Sequence, residues 1–374
     1  MKRRRLSCTI FFLSICLFSI IIVHSEAKLE HKKENIEDSK IEKNKDVKDL
    51  VTIVVDAANE HTDHTSIQQA INDAIEGSTI YVKPGKYSEI LNIDKSVNLI
   101  GENNQLTFIE VESNKNGYAI KISAPKVVFQ GFNIINQGEG LYTTGIKIVD
   151  SNTTIDDCII HDTPIGIAVW SSENKISNCS FYNCEDEGIA LLGSPNLECI
   201  SNSIINCEFY GNCDGIELQY SSNNIISRCD FNKNTHAGID AIGSFNDRNI
   251  ITNCSFSNNG VFGIYFSRSI DICIYLCILN EDQIMFNNVE SSVIDSSEFN
   301  KLYIVDSQVE LKDCEKVKIT EVKNINSECN MDKSLSLKDK LQENIKEKFN
   351  SNLFSLLNII KTKILNLRVS IFNK

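Results

Sequence analysis

The chain has 374 residues, 42% of them hydrophobic, with 14 cysteines and a formal net charge of −13. The negative charge is concentrated in residues 51–331, where 38 Asp+Glu face 17 Lys+Arg, a balance of −21. A body this acidic repels nucleic acid, and it repels bare polyuronates such as pectate unless divalent cations bridge the two sets of carboxylates.

The amino end reads Met1-Lys2-Arg3-Arg4-Arg5 and continues as an apolar run over residues 6–23. A basic region followed by a hydrophobic stretch directs export. Residues 1–25 are expected to be a signal peptide, with Ser25 and Ala27 offering cleavage sites, or an N-terminal anchor, since the run is long enough to span a bilayer. Either predicts an extracellular, cell-surface or periplasmic protein. Residues 26–50 carry fifteen charged side chains of both signs and no aromatic residue, the composition of a solvated, flexible linker.

Thr65-Ser66 followed by Ile67, Ala70, Ile71, Ala74 and Ile75 predicts an N-terminal capping helix of about three turns, ending before Gly77 and able to plug an open core. Residues 78–82 and 96–100 then read as short strands, separated by the turn Lys83-Pro84-Gly85-Lys86.

From Gly145 one motif, Gly-Ile-x-apolar, returns six times, as GIKIV at 145, GIAVW at 166, GIALL at 188, GIELQ at 215, GIDAI at 238 and GIYFS at 263. The steps are 21, 22, 27, 23 and 25 residues. Each copy runs into a Ser/Asn-rich turn such as Ser171-Ser172-Glu173-Asn174, a second strand, and a Cys-x-apolar strand such as Cys179-Ser180-Phe181. Three short strands with brief connections fill a repeat of this length. The leucine pattern of leucine-rich repeats is missing, as is the six-residue phase of left-handed β-helices. The expected fold class is therefore all-β, a right-handed parallel β-helix solenoid over residues 51–331. Regularity fades after Asp282, although residues 295–299 and 309–312 still read as strands.

Cys158, Cys179, Cys207, Cys229, Cys254 and Cys277 each fall at the same phase of a repeat. Equivalent positions of a solenoid stack one rung apart, so these six are expected to form an internal column of buried thiols. Disulfides among the off-column Cys184, Cys199 and Cys213 stay open, and no Cys-x-x-Cys pair marks a metal site. Asn152, Asn178 and Asn253 begin glycosylation sequons.

Residues 332–374 switch to helical periodicity, with Leu337, Leu341, Ile345, Phe349 and Leu353 four apart, and residues 333–374 hold nine Lys+Arg against three acids. A basic amphipathic tail either folds back as a cap on the acidic solenoid or lies on an anionic membrane surface.

Along a strand side chains alternate, so in each Gly-Ile-x-apolar unit the Ile points inward and x outward. One outward row is Lys147, Ala168, Ala190, Glu217, Asp240 and Tyr265; a second is Val149, Trp170, Leu192, Gln219, Ile242 and Ser267. Asp186-Glu187, Asp214 and His236 come just before the strands. Glu217 and Asp240 are expected about 5 Å apart on neighbouring rungs. Carboxylates that close do not both ionise freely, and the separation suits a retaining glycosidase pair. The candidate catalytic residues are thus Asp214, Glu217, Asp240 and His236. Trp170, the single tryptophan, offers a flat stacking surface for a sugar, with Glu187, Gln219 and Tyr265 as further binding candidates. The alternative readings are a solvated or Ca²⁺-binding row of acids and a Trp170 packed under a loop. Asp63-His64 beside His61 is either a metal-binding turn or a solvated one.

The segment 66–103, SIQQAINDAIEGSTIYVKPGKYSEILNIDKSVNLIGEN, resembles the opening of right-handed β-helix proteins of the pectin-lyase-like superfamily. Pectin methylesterases and the periplasmic β-helix family linked to nitrous-oxide reductase maturation look similar here. Asn212-Cys213-Asp214-Gly215-Ile216-Glu217 resembles the Asn-Thr-Asp-Gly-Ile-Asp segment of polygalacturonases, which places Asp214 and Glu217 at the two acidic positions of that motif. Yet the next rung has no Asp-Asp pair, Thr235-His236-Ala237-Gly238 replaces Gly-His-Gly, and no Arg-Ile-Lys follows. The maturation family implies metal handling, but no His/Met-rich copper site is present. These observations lead to an exported, envelope-associated protein that binds a polysaccharide or cell-envelope glycan and cleaves or modifies it as a glycosidase, lyase or epimerase. The rival is a non-catalytic surface adhesin or structural envelope protein. No cofactor is evident, and Ca²⁺ is the ion that the acid row could take.

Overall fold

The computed structural model describes residues 52–314, 318–322 and 329–330. The expected signal peptide or anchor, the charged linker and the basic tail lie outside the described residues.

The repeat becomes a solenoid of three short parallel strands per turn. One turn consists of Ile165–Val169, Lys175–Ser177 and Ser180–Tyr182, and the next of Glu187–Leu192, Ser203–Ile205 and Glu208–Tyr210. Each strand pairs with its equivalent one turn on: Ile167 with Ile189, Ile176 with Ile204, Phe181 with Phe209. The second strands of the turns form a 13-stranded sheet among the described residues, from Thr52–Val55 onward. The 27-residue step is accommodated without disturbing this register, because its extra length forms a loop between Leu192 and Ser203.

Each turn has three corners, built to one recipe. A residue in the left-handed region bends the chain, and the next side chain turns inward to stack on its equivalents. Before the cysteines these bending residues are Asn178, Asn206, Arg228 and Asn253, with φ of 54, 56, 55 and 53°. Asparagine tolerates this conformation better than most residues. Asn178 and Asn253, which begin sequons, are thereby corner residues. The cysteine column forms as expected, all six members being buried and Cys229 and Cys254 donating to the Ile204 and Ile226 carbonyls of the preceding turn at 3.7 Å.

The other two corners carry asparagine ladders. The Asn174, Asn202 and Asn224 backbone N–H groups donate to the side-chain oxygens of Asn202, Asn224 and Asn249 at 3.0, 2.9 and 2.9 Å. Asn212 and Asn234 repeat the pattern toward Asn234 and Asn259 at 3.2 and 3.1 Å. These amides satisfy buried backbone donors where no strand partner is available. Between the ladders the core is a file of Ile and Phe, with the rings of Phe181, Phe209, Phe231 and Phe256 stacked at 5.0, 4.8 and 4.7 Å. The motif glycine is required by this file. A Cβ on Gly215 would lie 2.6 Å from the Phe231 ring and 2.6 Å from the Gly238 carbonyl oxygen.

Three expectations change. The helix spans Ile67–Asp73, about two turns instead of three, because Ala74 is already extended and leads the chain toward the strand Thr79–Val82. Ser66 caps it by accepting from the Gln69 N–H, and Glu89 accepts from the Ile67 and Gln68 N–H groups at 2.7 and 3.1 Å. Residues 295–299 are not one strand but the ends of two, Ser292–Asp295 and Glu298–Val305, separated by Ser296 at φ 47°. Cys184 and Cys199 are buried free thiols, not disulfide partners, and burial pushes both above the ordinary range, Cys199 to about 11. The repeat loosens after Asp282. In Ile278–Asn287 the corner is still marked by Glu281 at φ 65° and by Asp282, which accepts from the Asn259 N–H at 3.0 Å, whereas Glu298–Val305 runs on as a single long strand, with a register shift against Ile278–Asn287 between Leu279 and Gln283.

Candidate functional site

The Gly-Ile strands present their outer face as two registered rows. Glu187, Asp214, Ala237 and Phe262 align just before the glycines, and Ala190, Glu217, Asp240 and Tyr265 align one step beyond the inward Ile. Four acids expected from different repeats therefore meet on three consecutive turns. Although they point away from the core, they are not solvated: Glu187, Asp214 and Asp240 are 6%, 5% and 3% exposed. Two small outer clusters explain this. Ile165, Ala168 and Ala190 pack with Trp170 and Leu192 on one side, while Ala237, Phe262, Tyr265 and Met285 pack on the other. Glu217 lies between them and is only half-buried, so solvent still reaches it.

Asp214 Oδ1 accepts from the Ala237 N–H at 2.8 Å and contacts His236 Nδ1 at 2.8 Å. His236 Nδ1 is also 3.7 Å from Asp240 Oδ2. The other oxygen of Asp240, Oδ1, is buried without a hydrogen-bond partner. Gln219 Nε2 donates to Glu217 Oε1 at 3.2 Å, and the Glu187 and Glu217 carboxyls interact across adjacent turns. Burial, followed by the neighbouring negative charges, raises Glu187, Glu217 and Asp240. Glu217 is pushed up to about 7, Glu187 well above the carboxylate range by burial and Glu217, and Asp240 likewise by burial, Asp214 and Glu217. Burial and like charge thus shift Asp240 and Glu187 toward their protonated forms, while Glu217 stands at the edge of ionisation near neutral pH.

Asp214, His236 and Asp240 each offer one ligand atom, all within 4.8 Å of one another. Two carboxylates and an imidazole at that separation can hold a divalent cation.

The remaining sequence candidates fall along the same face. Gln219 orients Glu217, and Tyr265, stacked on Phe262 at 5.3 Å, walls the site beside Asp240. Trp170 lies two turns away in the row of Leu192 and Gln219, half-buried, with the Lys147 ammonium 4.7 Å from its ring centre. His64 instead pairs with Asp73 of the helix at 3.5 Å, outside this group. A neighbour not singled out from the sequence is Tyr142, 40% exposed in the loop before Thr144–Ile148, whose phenol is raised by burial and then by the charges of Asp186, Glu187 and Glu217. Its signal in the sequence is an apolar pair, Leu141-Tyr142, inside an otherwise polar loop.

Among solved structures, the enzymatically active domain of bacteriophage CBA120 tailspike protein 2 superposes with a TM-score of 0.53 at 13% identity, over 65% of this chain and 44% of that one. The chain thus spans less than half of the tailspike domain's length. The catalytic domain of a GH87 α-1,3-glucanase in complex with nigerose superposes with a TM-score of 0.50 at 14% identity, over 79% of this chain and 71% of that one. At such identities the likeness is one of fold. No curated protein matches the chain in sequence. The family model described as right handed beta helix region matches three overlapping stretches, 95–245, 129–279 and 201–331. With the stacked turns, the internal ladders and this match in agreement, the chain belongs to the right-handed β-helix family.

Proposed function

We propose that this is an exported, envelope-associated β-helix protein whose outer Gly-Ile face binds a glycan and cleaves it by acid–base chemistry. The reading is carried by Asp240, a buried carboxyl that has one oxygen without a partner and is shifted toward its protonated form, one strand step from Glu217. Asp240 is the general acid toward the glycosidic oxygen. On the neighbouring turn Glu217, oriented by Gln219, supplies in its ionised form the carboxylate that attacks the anomeric carbon as the leaving oxygen takes the Asp240 proton, and water then hydrolyses the glycosyl ester. A strand step of about 5 Å matches the separation of a retaining pair. Asp214 and His236 hold the corner from which Asp240 projects, and Trp170 and Tyr142 supply aromatic surface along the groove. A glycan also fits the fold neighbour of matching shape that is an α-1,3-glucanase. The helix Ile67–Asp73 closes the first turns in this reading. The basic tail 332–374 caps the far end or rests on an anionic membrane, which liposome binding with and without residues 333–374 separates.

The test is incubation of the protein with a glycan panel, with and without Ca²⁺, following both binding and new reducing ends. Glu217→Gln and Asp240→Asn should each abolish cleavage while binding persists. Cleavage surviving the double substitution overturns the assignment, and binding without turnover by the parent supports the adhesin or structural reading instead.

The partnerless Asp240 oxygen also favours a second reading, in which Asp214, His236 and Asp240 hold a divalent cation that binds sugar hydroxyls. The imidazole suits Mn²⁺ or Zn²⁺ at least as well as the Ca²⁺ expected from the acid row. A melting temperature raised by one of these ions, and unmoved by it in Asp240→Asn, supports the cation; no response to any of the three removes it.

A further inference from the structure

Three turns before Glu217, the same outer row carries lysine instead of acid. Lys147 aligns with Ala168, Ala190 and Glu217 in successive turns, which places it about 14 Å from Glu217 along the groove at the usual ~4.8 Å strand separation. Lys121 aligns with Lys147 one turn further back. Two like charges directly opposite each other on neighbouring strands repel. In a body with 38 acids to 17 bases an acidic neighbour would be easy to supply. The ion pairs of the described residues nonetheless include neither lysine. Trp170 holds the Lys147 ammonium at 4.7 Å from its ring centre, fixing the charge in place. Burial and the Lys121 charge push Lys147 below the ordinary lysine range. An anion placed against both lysines relieves that repulsion.

We propose that Lys121 and Lys147 form an anion subsite, so that the ligand is an anionic glycan with a charged substituent several sugar units from the bond that Asp240 and Glu217 act on. The inference rests on the glycan reading above. It also reconciles an anionic ligand with an acidic protein: the substituent meets the lysines, while the uncharged part of the chain passes the buried Asp240 and Glu187.

The experiment compares dextran oligosaccharides of equal length that are uncharged, carboxymethylated, sulfated or phosphorylated, measuring binding to the full chain by calorimetry. At least one charged form should bind about tenfold or more tighter than the uncharged one, as a charge-assisted contact provides. The form preferred identifies the anion. Lys121→Ala and Lys147→Ala should each remove most of that preference, and Lys147→Arg should retain it. Equal binding of charged and uncharged dextrans, no binding of any charged form, or a preference that survives the double alanine variant each overturns the subsite. Polyglutamate provides the separate control. If it binds as well as the charged dextrans and depends on the same lysines, the anion site stands and the glycan reading falls.

Discussion

Asp214 and His236 are joined across one turn of the solenoid, Asp214 Oδ1 lying 2.8 Å from His236 Nδ1 while the same oxygen accepts the Ala237 N–H at 2.8 Å. One carboxylate thereby orients an imidazole and satisfies a buried backbone donor at the corner leading to Asp240. Asp214→Ala leaves that donor only its longer contact, to the Cys213 carbonyl at 3.4 Å, and should cost about 1–2 kcal/mol in urea unfolding. Asp214→Asn keeps an acceptor oxygen and should cost less. Equal stability of the alanine variant and the parent would show that the corner holds without Asp214.

The Gly-Ile repeat gives a second expectation. Gly215 needs to be glycine because of a close approach and not because of its backbone angles, since a Cβ there would meet the Phe231 ring and the Gly238 carbonyl oxygen at 2.6 Å each. Gly215→Ala should therefore destabilise by about 3 kcal/mol, the upper end of overpacking costs, because the obstruction includes backbone. Gly243, at φ +90° and with nothing within 4 Å of where a Cβ would sit, is the control for conformational strain alone. Gly243→Ala should lose about 1 kcal/mol. A Gly215→Ala variant no less stable than Gly243→Ala contradicts the stacking of Phe231 under the motif glycine.

The thiol column can be tested without mutation. Cys158, Cys179, Cys207, Cys229, Cys254 and Cys277 are each at most 2% exposed, so a thiol reagent reaches them only through local or global opening. Native protein should label these six no faster than it unfolds, and reducing agent should leave its melting temperature unchanged. In denaturant all six should react, read by mass spectrometry of their peptides. Fast labelling of Cys207 or Cys229 in the native state would place them outside the core.

The repeat made the solenoid, its register and the cysteine column legible, because in a stack each turn pairs with the next and phase converts directly into contact. It also brought Asp214, Glu217, Asp240 and His236 to one face. The asparagine ladders were less visible, since Asn174, Asn202, Asn224 and Asn249 look like ordinary turn residues until the corner turns them inward. Outward direction was legible, but exposure was not. Asp240 and Tyr265 point out and are still covered, because shielding depends on Phe262, Met285 and other side chains from adjacent turns. Tyr142 was missed for the same reason: strand alternation says nothing about where a loop side chain lands.

Shielding of the acids has a consequence for stability. A carboxyl whose pKa is higher in the folded protein than in the unfolded chain binds its proton more tightly when folded. It therefore takes nothing from stability below the ordinary value and progressively more as pH rises toward the folded value. For Glu217 that window runs from 4.5 to about 7, and Glu187 and Asp240 are shifted in the same direction. Other carboxylates stabilise the fold over the same range, so the informative quantity is the difference between the parent and Glu217→Gln, measured by urea unfolding in buffer containing a chelator. The variant should match the parent near pH 4.5 and exceed it above pH 7, by on the order of 2–3 kcal/mol. Glutamine has nearly the same shape and still offers an oxygen to Glu187, so packing losses should be small. A difference that does not change with pH would mean that Glu217 is solvated like an ordinary surface acid, and with that the neutral-range carboxyl on which the acid–base reading depends would be lost.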